Sequence, residues 1–258
     1  MLRCLLFLFS IVQASAQTMQ SPAMLGMGNT AAAKESVYSV WRNPAGIARL
    51  SSAQAGIAFQ SHFISSAFYS YAGVATKSIA NFGVAGIQYA NSQLSGAIAS
   101  SSVGICYGYS ILKKWNVGAG IDRQVVRWKD FETENYENDS EHRFLANVGL
   151  QYHGEHFSAG AYYKQLGELV IGVGYRVSDQ LHLAADLSKE ELQRPDFRAG
   201  LRYQVVRNFY LLGGISSNPL QHYAGASVLI RNFRIDLASS FHRDLGFSPQ
   251  VAMGYALR

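Results

Sequence analysis

From about Ser52 onward, apolar residues alternate with small or polar ones in segments of roughly ten residues, separated by turn-like residues. In the last segment, Phe247, Val251 and Tyr255 fall on one face of an extended chain, whereas Ala252 falls on the other. Because successive side chains of a strand point to opposite faces, one face can meet lipid while the other meets a polar interior. The pattern therefore predicts strands that cross a membrane.

The number of such segments predicts an all-β fold, a transmembrane antiparallel up-and-down β-barrel of about 14 strands. An even strand number agrees with single-chain bacterial barrels. The expected strands lie near residues 53–62, 65–75, 78–90, 100–110, 114–126, 141–152, 155–164, 168–176, 180–188, 196–206, 208–217, 220–230, 232–241 and 246–257.

Aromatic residues mark the expected ends of the strands. One set lies beside short connections that recur after every second strand: Tyr109, Trp115, Tyr152, Phe157 and Tyr175. A second set lies towards the longer connections: Phe144, Tyr163, Phe197, Phe241 and Phe247. Paired aromatic belts with short periplasmic turns and longer outer loops are typical of bacterial outer-membrane barrels. A soluble β-sandwich explains the alternation but neither the belts nor the loop asymmetry.

The composition agrees with a membrane protein. The chain has 258 residues, of which 48% are hydrophobic and 15% charged, against about 25% charged in a soluble domain. After the first residues, no apolar stretch is long enough for a transmembrane helix. Lysine and arginine are scattered along the chain, so we expect outer-membrane lipid as a partner and no nucleic acid.

The first 16 residues have the pattern of a secretory signal peptide. Arg3 precedes an apolar run from Leu5 to Val12, and Ala14 and Ala16 match a small-residue cleavage site. We therefore expect residues 1–16 to direct export and to be removed. Cys106 is then the one cysteine left, which excludes a disulfide within the mature chain.

Two short motifs precede the first strand. Proline fixes its own backbone and favours an extended residue before it, and glycine permits tight turns, so the motifs predict a compact cap. A short helix is expected near residues 30–40. The glycines do not form a dinucleotide loop, because no strand precedes them and Ala31 occupies the third glycine position. The motif residues are Gly26, Gly28, Asn29, Asn43, Pro44, Ala45 and Gly46.

These motifs, followed by the amphipathic strands, resemble the start of FadL-like (OMPP1/FadL) outer-membrane proteins, and within them the PorV/PorQ family. The resemblance implies that residues 17–50 form an N-terminal plug or hatch inside a barrel of residues 51–258. It also implies a non-enzymatic accessory role in type IX protein secretion or surface attachment, with other secretion-system proteins or exported proteins as partners. The chain is shorter than that family, and the usual acidic pair between the motif halves reads Lys34-Glu35.

Two other functions are alternatives to the accessory role. The first is a FadL-like channel for uptake of hydrophobic small molecules such as fatty acids, which would make the partner a hydrophobic ligand. The second is a barrel hydrolase, since His156 and Ser158, or His182 and Asp186, share a strand face. Such pairs arise by chance in a polar interior. We expect no catalytic residue, no metal site and no cofactor.

Charged residues on the inward faces form a candidate lumen network. We predict that they grip the plug, and the alternative is a polar constriction that selects solutes. Inward glycines such as Gly118, Gly120, Gly172, Gly174 and Gly200 are expected to leave room for the plug. The acidic residues between positions 130 and 141 are expected to form a solvated loop. The network residues are Asp122, Arg143, Arg176, Asp186, Arg198, Arg202, Arg234 and Asp236.

Overall fold

The structure is a computed structural model, and it describes residues 21–80, 82–95, 97–128, 140–165, 167–191 and 193–257. The predicted signal peptide lies outside these residues, as does nearly all of the predicted acidic loop. Residues 17–20 of the predicted plug also lie outside them.

The described residues form a closed antiparallel barrel of 14 strands, in which β1 pairs with β14. Every other strand pairs with its neighbours in sequence, so the predicted up-and-down barrel is confirmed. The strands are β1 Gln54–Ser61, β2 Phe68–Ile79, β3 Gly83–Leu94, β4 Ile98–Leu112, β5 Trp115–Trp128, β6 Ser140–His153, β7 Phe157–Lys164, β8 Glu168–Arg176, β9 Leu181–Lys189, β10 Asp196–Val206, β11 Phe209–Ser217, β12 Leu220–Ile230, β13 Phe233–His242 and β14 Gly246–Ala256.

The alternation in the sequence becomes an apolar outer wall. Ile57 is 59% exposed and Phe144 is 63% exposed, whereas Ala58 and Leu145, their neighbours along the strands, are buried. An apolar surface that surrounds a whole molecule is not stable in water, and it suits the hydrocarbon core of a membrane. Within the described residues, no helix is long and apolar enough to cross a membrane.

Aromatic rings pair at both ends of the strands, as the two predicted belts require. Trp115 and Tyr152 lie 5.0 Å apart, centroid to centroid, beside the short turns of β4–β5 and β6–β7. Phe241 and Phe247 lie 4.8 Å apart at the opposite end, beside the connection between β13 and β14. The end with the short turns is also the end at which β1 begins and β14 finishes.

Residues 21–50, which we call the inner segment, contain three short helical turns: α1 Pro22–Leu25 and two 3₁₀ helices, Val37–Trp41 and Pro44–Ile47. The prediction of one helix near residues 30–40 is wrong. Ser36 caps the first 3₁₀ helix by accepting a hydrogen bond from Tyr38 N, so helical structure begins only there. The backbone at residues 31–32 binds the barrel wall, as described below.

The interior core lies between the inner segment and the wall. Met24, Tyr38, Trp41 and Ile47 of the inner segment are buried with wall residues such as Val84. The barrel interior is thus filled by the inner segment, most of whose residues are buried, as well as by side chains of the strands.

Candidate functional site

Inward glycines of the wall form the surface on which the inner segment lies. At five of them a β-carbon would overlap inner-segment atoms, which only glycine avoids. The overlapping pairs are Gly118 with Pro44, Gly149 with Asn43, Gly160 with Ala32, Gly200 with Met27, and Gly214 with Gly28. Of the five glycines predicted to leave room, Gly118, Gly172 and Gly200 lie against the inner segment, and Gly174 lies 3.9 Å from Ala33 Cβ, measured from the position of its β-carbon. The prediction is wrong for Gly120, where a β-carbon would meet wall residues instead.

Asn43 joins the two halves of the motif. Its Oδ1 accepts a hydrogen bond from Ala45 N (3.1 Å), which starts the 3₁₀ helix at Pro44. Its Nδ2 donates to Ala32 O at 2.6 Å, across the turn between the halves. Asn43 is fully buried, and its Nδ2 also donates to two carbonyl oxygens of the wall, Leu150 O (3.4 Å) and Ala161 O (3.5 Å). The side chain therefore fixes the internal shape of the inner segment.

The motif glycines are required by backbone geometry. Gly28 has φ of 70° and lies against the backbone of β10, where a β-carbon would meet Ala199 O. Gly46 lies against the stretch between the two halves of the motif, and a β-carbon there would be 2.6 Å from Ser39 Oγ. Asn29 also has a positive φ of 65°, a conformation that asparagine tolerates better than most residues. The motif residues thus determine how the inner segment folds, and they do not form a ligand site.

A buried ion pair connects the inner segment to β8. Arg42 Nη1 donates to Glu168 Oε1 at 2.9 Å, and the two side chains are only 6% and 11% exposed. Arg42 Nη2 donates to Asn29 Oδ1 (3.4 Å), which ties the pair to the first half of the motif. Tyr162 OH donates to Glu168 Oε1 at 3.3 Å.

A second anchor holds Ala32. Asp186 Oδ2, on β9, accepts hydrogen bonds from Ala31 N (2.7 Å) and Ala32 N (3.0 Å). Gln151 Nε2, on β6, donates to Ala32 O (2.9 Å) and to Lys34 O (3.0 Å). With the bond from Asn43, both backbone polar groups of Ala32 are held by side chains.

The remaining network residues make separate contacts rather than one continuous network. Asp122 contacts Gln88 and pairs with Lys164 at 3.5 Å, measured from Lys164 Nζ to Asp122 Oδ2. The pair of Arg143 and Glu141 is more than a third exposed on β6. Three further network residues form ion pairs with the neighbouring inward residue of the same strand. Arg234 pairs with Asp236, and Arg198 pairs with Asp196, which is not one of the predicted residues. Of the eight predicted residues, Asp186 is the one with a direct hydrogen bond to the described part of the inner segment.

Arg176 and Arg202 line a cavity of about 230 Å³ at the short-turn end of the barrel. Arg202 lies over the ring of Tyr210, with 5.2 Å from its guanidinium carbon to the ring centroid. Lys34 of the inner segment lines the same cavity. Burial lowers the pKa of Lys34 to about 7, and the positive charges of Arg202 and Arg234 act in the same direction. We call this cavity the rim basin.

An apolar groove of about 620 Å³ lies on the outer wall across β1–β4 and β14. It forms because Gly73 and Ala75 of β2 face outward beside larger residues, with Gly73 opposite Ile57 and Ala75 opposite Ile87. The strands beneath the groove are paired along their registers, so it is a surface depression and not a gap in the wall.

Sequence reasoning missed Arg42, Glu168, Gln151 and Lys164. Arg42 stands next to Asn43 in the motif, which is the one local signal for its role. The other three face inward from strands, and alternation alone does not indicate which inward polar residue meets the inner segment.

We expect Asp186→Asn to loosen residues 31–32 without displacing them. An amide oxygen still accepts hydrogen bonds, but a charge-assisted bond is roughly twice as strong as a neutral one, so the loss is about 1 kcal/mol. Amide hydrogen exchange at Ala31 and Ala32 should become several-fold faster. Asp244→Asn, in the connection between β13 and β14, is the control and should leave that exchange unchanged. Equal exchange in both variants would contradict the anchoring role of Asp186.

Comparison with protein-family models gives no match, and comparison with curated proteins gives none either. Among solved structures, the chain is similar to the toluene transporter TodX of Pseudomonas putida, with TM-score 0.73, 10% identity, and coverage of 93% of this chain and 98% of TodX. It is also similar to the CymD monoaromatic hydrocarbon channel, with TM-score 0.72, 13% identity, and coverage of 94% and 99%. A FadL homologue of Pseudomonas aeruginosa gives TM-score 0.64, 10% identity, and coverage of 92% and 97%.

At these identities, the similarity establishes the fold. The chain therefore shares the barrel fold of TodX, CymD and the FadL homologue, a fold that the resemblance of its N-terminal motifs led us to expect. Two of the similar structures are described as a transporter and a channel. None of them is described as a PorV or PorQ protein or as part of a secretion system.

Proposed function

We propose that this chain is an outer-membrane channel for hydrophobic small molecules, in which the inner segment acts as a hatch. The observation that carries the proposal is the apolar cluster between the inner segment and the wall, which includes Met24, Tyr38, Trp41 and Ile47. A passage opened by moving the segment would be lined by these side chains. Such a lining favours apolar solutes over ions and sugars.

The wall supports this role for the inner segment. All 14 neighbouring strand pairs are hydrogen-bonded, so the wall offers no opening between the described strands. A solute that crosses must therefore displace the inner segment. The anchors at Asp186, Gln151 and Glu168 are discrete polar contacts that can break and re-form. The fold shared with TodX and CymD adds support, because both are described as carrying aromatic hydrocarbons.

A disulfide between the inner segment and β8 tests the proposal. Ala33 Cβ lies 3.9 Å from the position of a β-carbon on Gly174, within the range of about 3.5–4.5 Å that disulfides require. Ser158 Oγ lies 2.6 Å from the same position, so all variants carry Ser158→Ala. They also carry Cys106→Ala, which removes the buried native thiol.

We expect oxidised Ala33→Cys/Gly174→Cys to reduce uptake of labelled toluene and oleate at least tenfold, to the level of cells without the protein. Uptake is measured in cells whose own hydrocarbon and fatty-acid channels are deleted. A reducing agent should restore uptake, and each single-cysteine variant should behave like the background protein. Uptake that persists with the disulfide closed, or that never exceeds the empty-vector level, would contradict the hatch.

A second candidate is a PorV/PorQ-like accessory role in type IX secretion or surface attachment. The motif residues favour it, because Gly28, Asn43 and Gly46 are each used to hold the inner segment in one shape. A permanent plug would need such rigidity. Gentle purification from the native outer membrane separates the two candidates. A stoichiometric protein companion supports the accessory role, whereas a barrel that comes off alone with an apolar ligand supports the channel.

A further inference from the structure

Three basic residues form a row across adjacent strands in the rim basin. Arg202 of β10 lies directly opposite His182 of β9, and His182 lies directly opposite Arg176 of β8. All three are on the inward side of their strands and line the basin. Directly opposite residues have β-carbons about 5 Å apart, so the three groups are close neighbours.

Two more basic groups complete the cluster. His156 lies beside Arg176, since its carbonyl oxygen accepts a hydrogen bond from Arg176 N (2.8 Å). Lys34 enters from the inner segment, and its Nζ contacts Met27 Sδ at 3.2 Å, a weak acceptor without charge. Among the described residues, the ion pairs within 4.0 Å include none of Lys34, Arg176 and Arg202.

The acidic residues of the basin do not neutralise this row. Asp186 is occupied by the backbone N–H groups of Ala31 and Ala32. Glu35 and Glu155 line the basin but are exposed to solvent, and neither belongs to an ion pair within 4.0 Å among the described residues. The cations thus face the basin without a close counter-charge.

Such an arrangement destabilises the empty barrel. The positive charges of Arg176 and Arg202, which lie on either side of His182, repel each other across it. An anion held between them would turn that repulsion into attraction, and guanidinium groups bind carboxylates and phosphates through paired hydrogen bonds. The cavity of about 230 Å³ has room for such a group and a few waters of roughly 30 Å³ each. Met27, Ala33 and Ala184 also line the basin and offer apolar contacts beside the row.

We propose that the rim basin is an oxyanion site, which binds a phosphate or carboxylate group at the short-turn end of the barrel through Arg176, Arg202, His182 and Lys34. The group is either a free anion or the head group of an amphiphile whose chain lies against the apolar lining of the basin at Met27, Ala33 and Ala184. This inference does not depend on the hatch, since it concerns binding at the rim and not passage through the lumen.

Calorimetric titration of the purified protein in a neutral detergent tests the site. The probes are inorganic phosphate, acetate, short-chain phosphatidic acid and octanoate, with chloride as the reference salt. Arg176→Gln/Arg202→Gln removes two cations of the row. Lys113→Gln/Arg231→Gln is the control, because it removes the same charge from two exposed short-turn residues that do not line the basin.

We expect at least one probe to bind with a stoichiometry near one. The row variant should weaken that binding at least about tenfold, because each lost charge-assisted bond contributes on that order, and the control should not. Binding of phosphate or acetate as tight as that of the amphiphiles identifies a free anion, and tighter binding of an amphiphile identifies a head group. Absence of binding, or equal loss in both variants, would overturn the site.

Thermal unfolding separates a binding site from a structural role. The bound anion should raise the melting temperature of the natural protein and not that of the row variant. Without any probe, the row variant should be at least as stable as the natural protein, because the repulsion between Arg176 and Arg202 is relieved. A row variant that is clearly less stable without the probe would mean that the cations serve the fold, which would contradict the proposal.

Discussion

Gly160→Val is expected to release the inner segment from the wall while the barrel stays closed. Gly160 faces inward from β7, and a β-carbon there would overlap Ala32 O and lie 3.0 Å from Ala33 N. Ala32 accepts hydrogen bonds from Asn43 and Gln151 and donates one to Asp186, so its displacement disturbs three anchors. Overpacking of about 1–3 kcal/mol and the three weakened hydrogen bonds at about 1 kcal/mol each give a total of about 4–6 kcal/mol.

Limited proteolysis of the folded barrel measures the release of the inner segment. Cleavage within residues 26–46 should become at least about a hundredfold faster, since each 1.4 kcal/mol corresponds to tenfold. The β-sheet signal and the compact electrophoretic form should be retained. Gly213→Val is the matched control, because Gly213 faces outward and its nearest contact for a β-carbon is Leu201 Cγ at 3.9 Å. Equal cleavage rates in the two variants would show that the glycine surface does not position the segment.

The barrel was predictable from the sequence because its signal is local and repeats. Strands β8 and β10 have the bounds expected from alternation, Glu168–Arg176 and Asp196–Val206. The expected second strand, residues 65–75, is displaced from the observed Phe68–Ile79. There the outward positions include Gly73 and Ala75, whose small side chains weaken the contrast between the two faces. Alternation identifies faces well only where the lipid-facing side chains are large.

The contacts of the inner segment were less predictable because they are long-range. The motif residues stand close together in sequence, and backbone rules for proline and glycine were sufficient to single them out. Arg42 and Glu168 are 126 residues apart, and no local pattern links them. The row of Arg176, His182 and Arg202 likewise depends on strand register, which alternation does not define to the residue.

Arg42→Met is expected to have an effect of similar size at the other anchor. Methionine keeps much of the length of the arginine side chain but leaves Glu168 as a buried carboxylate without its cation. Breaking a buried pair by removing one partner costs about 3–5 kcal/mol, most of which is the penalty for the charge that remains. Glu168→Gln alone should also destabilise the inner segment, because Arg42 then lies buried without a counter-charge.

The double variant Arg42→Met/Glu168→Gln distinguishes a lost charge pair from lost packing. Neither charge remains in it, so most of the loss should be recovered, and hydrogen exchange of the inner segment should return towards the natural rate. Arg143→Met/Glu141→Gln, at a pair whose side chains are 39% and 44% exposed, is the matched control. Exposed pairs contribute at most about 1 kcal/mol, so this control should change little. If hydrogen exchange of the inner segment is as fast in the double variant as in Arg42→Met, then the packing of the arginine side chain, and not its ion pair with Glu168, holds the segment in place.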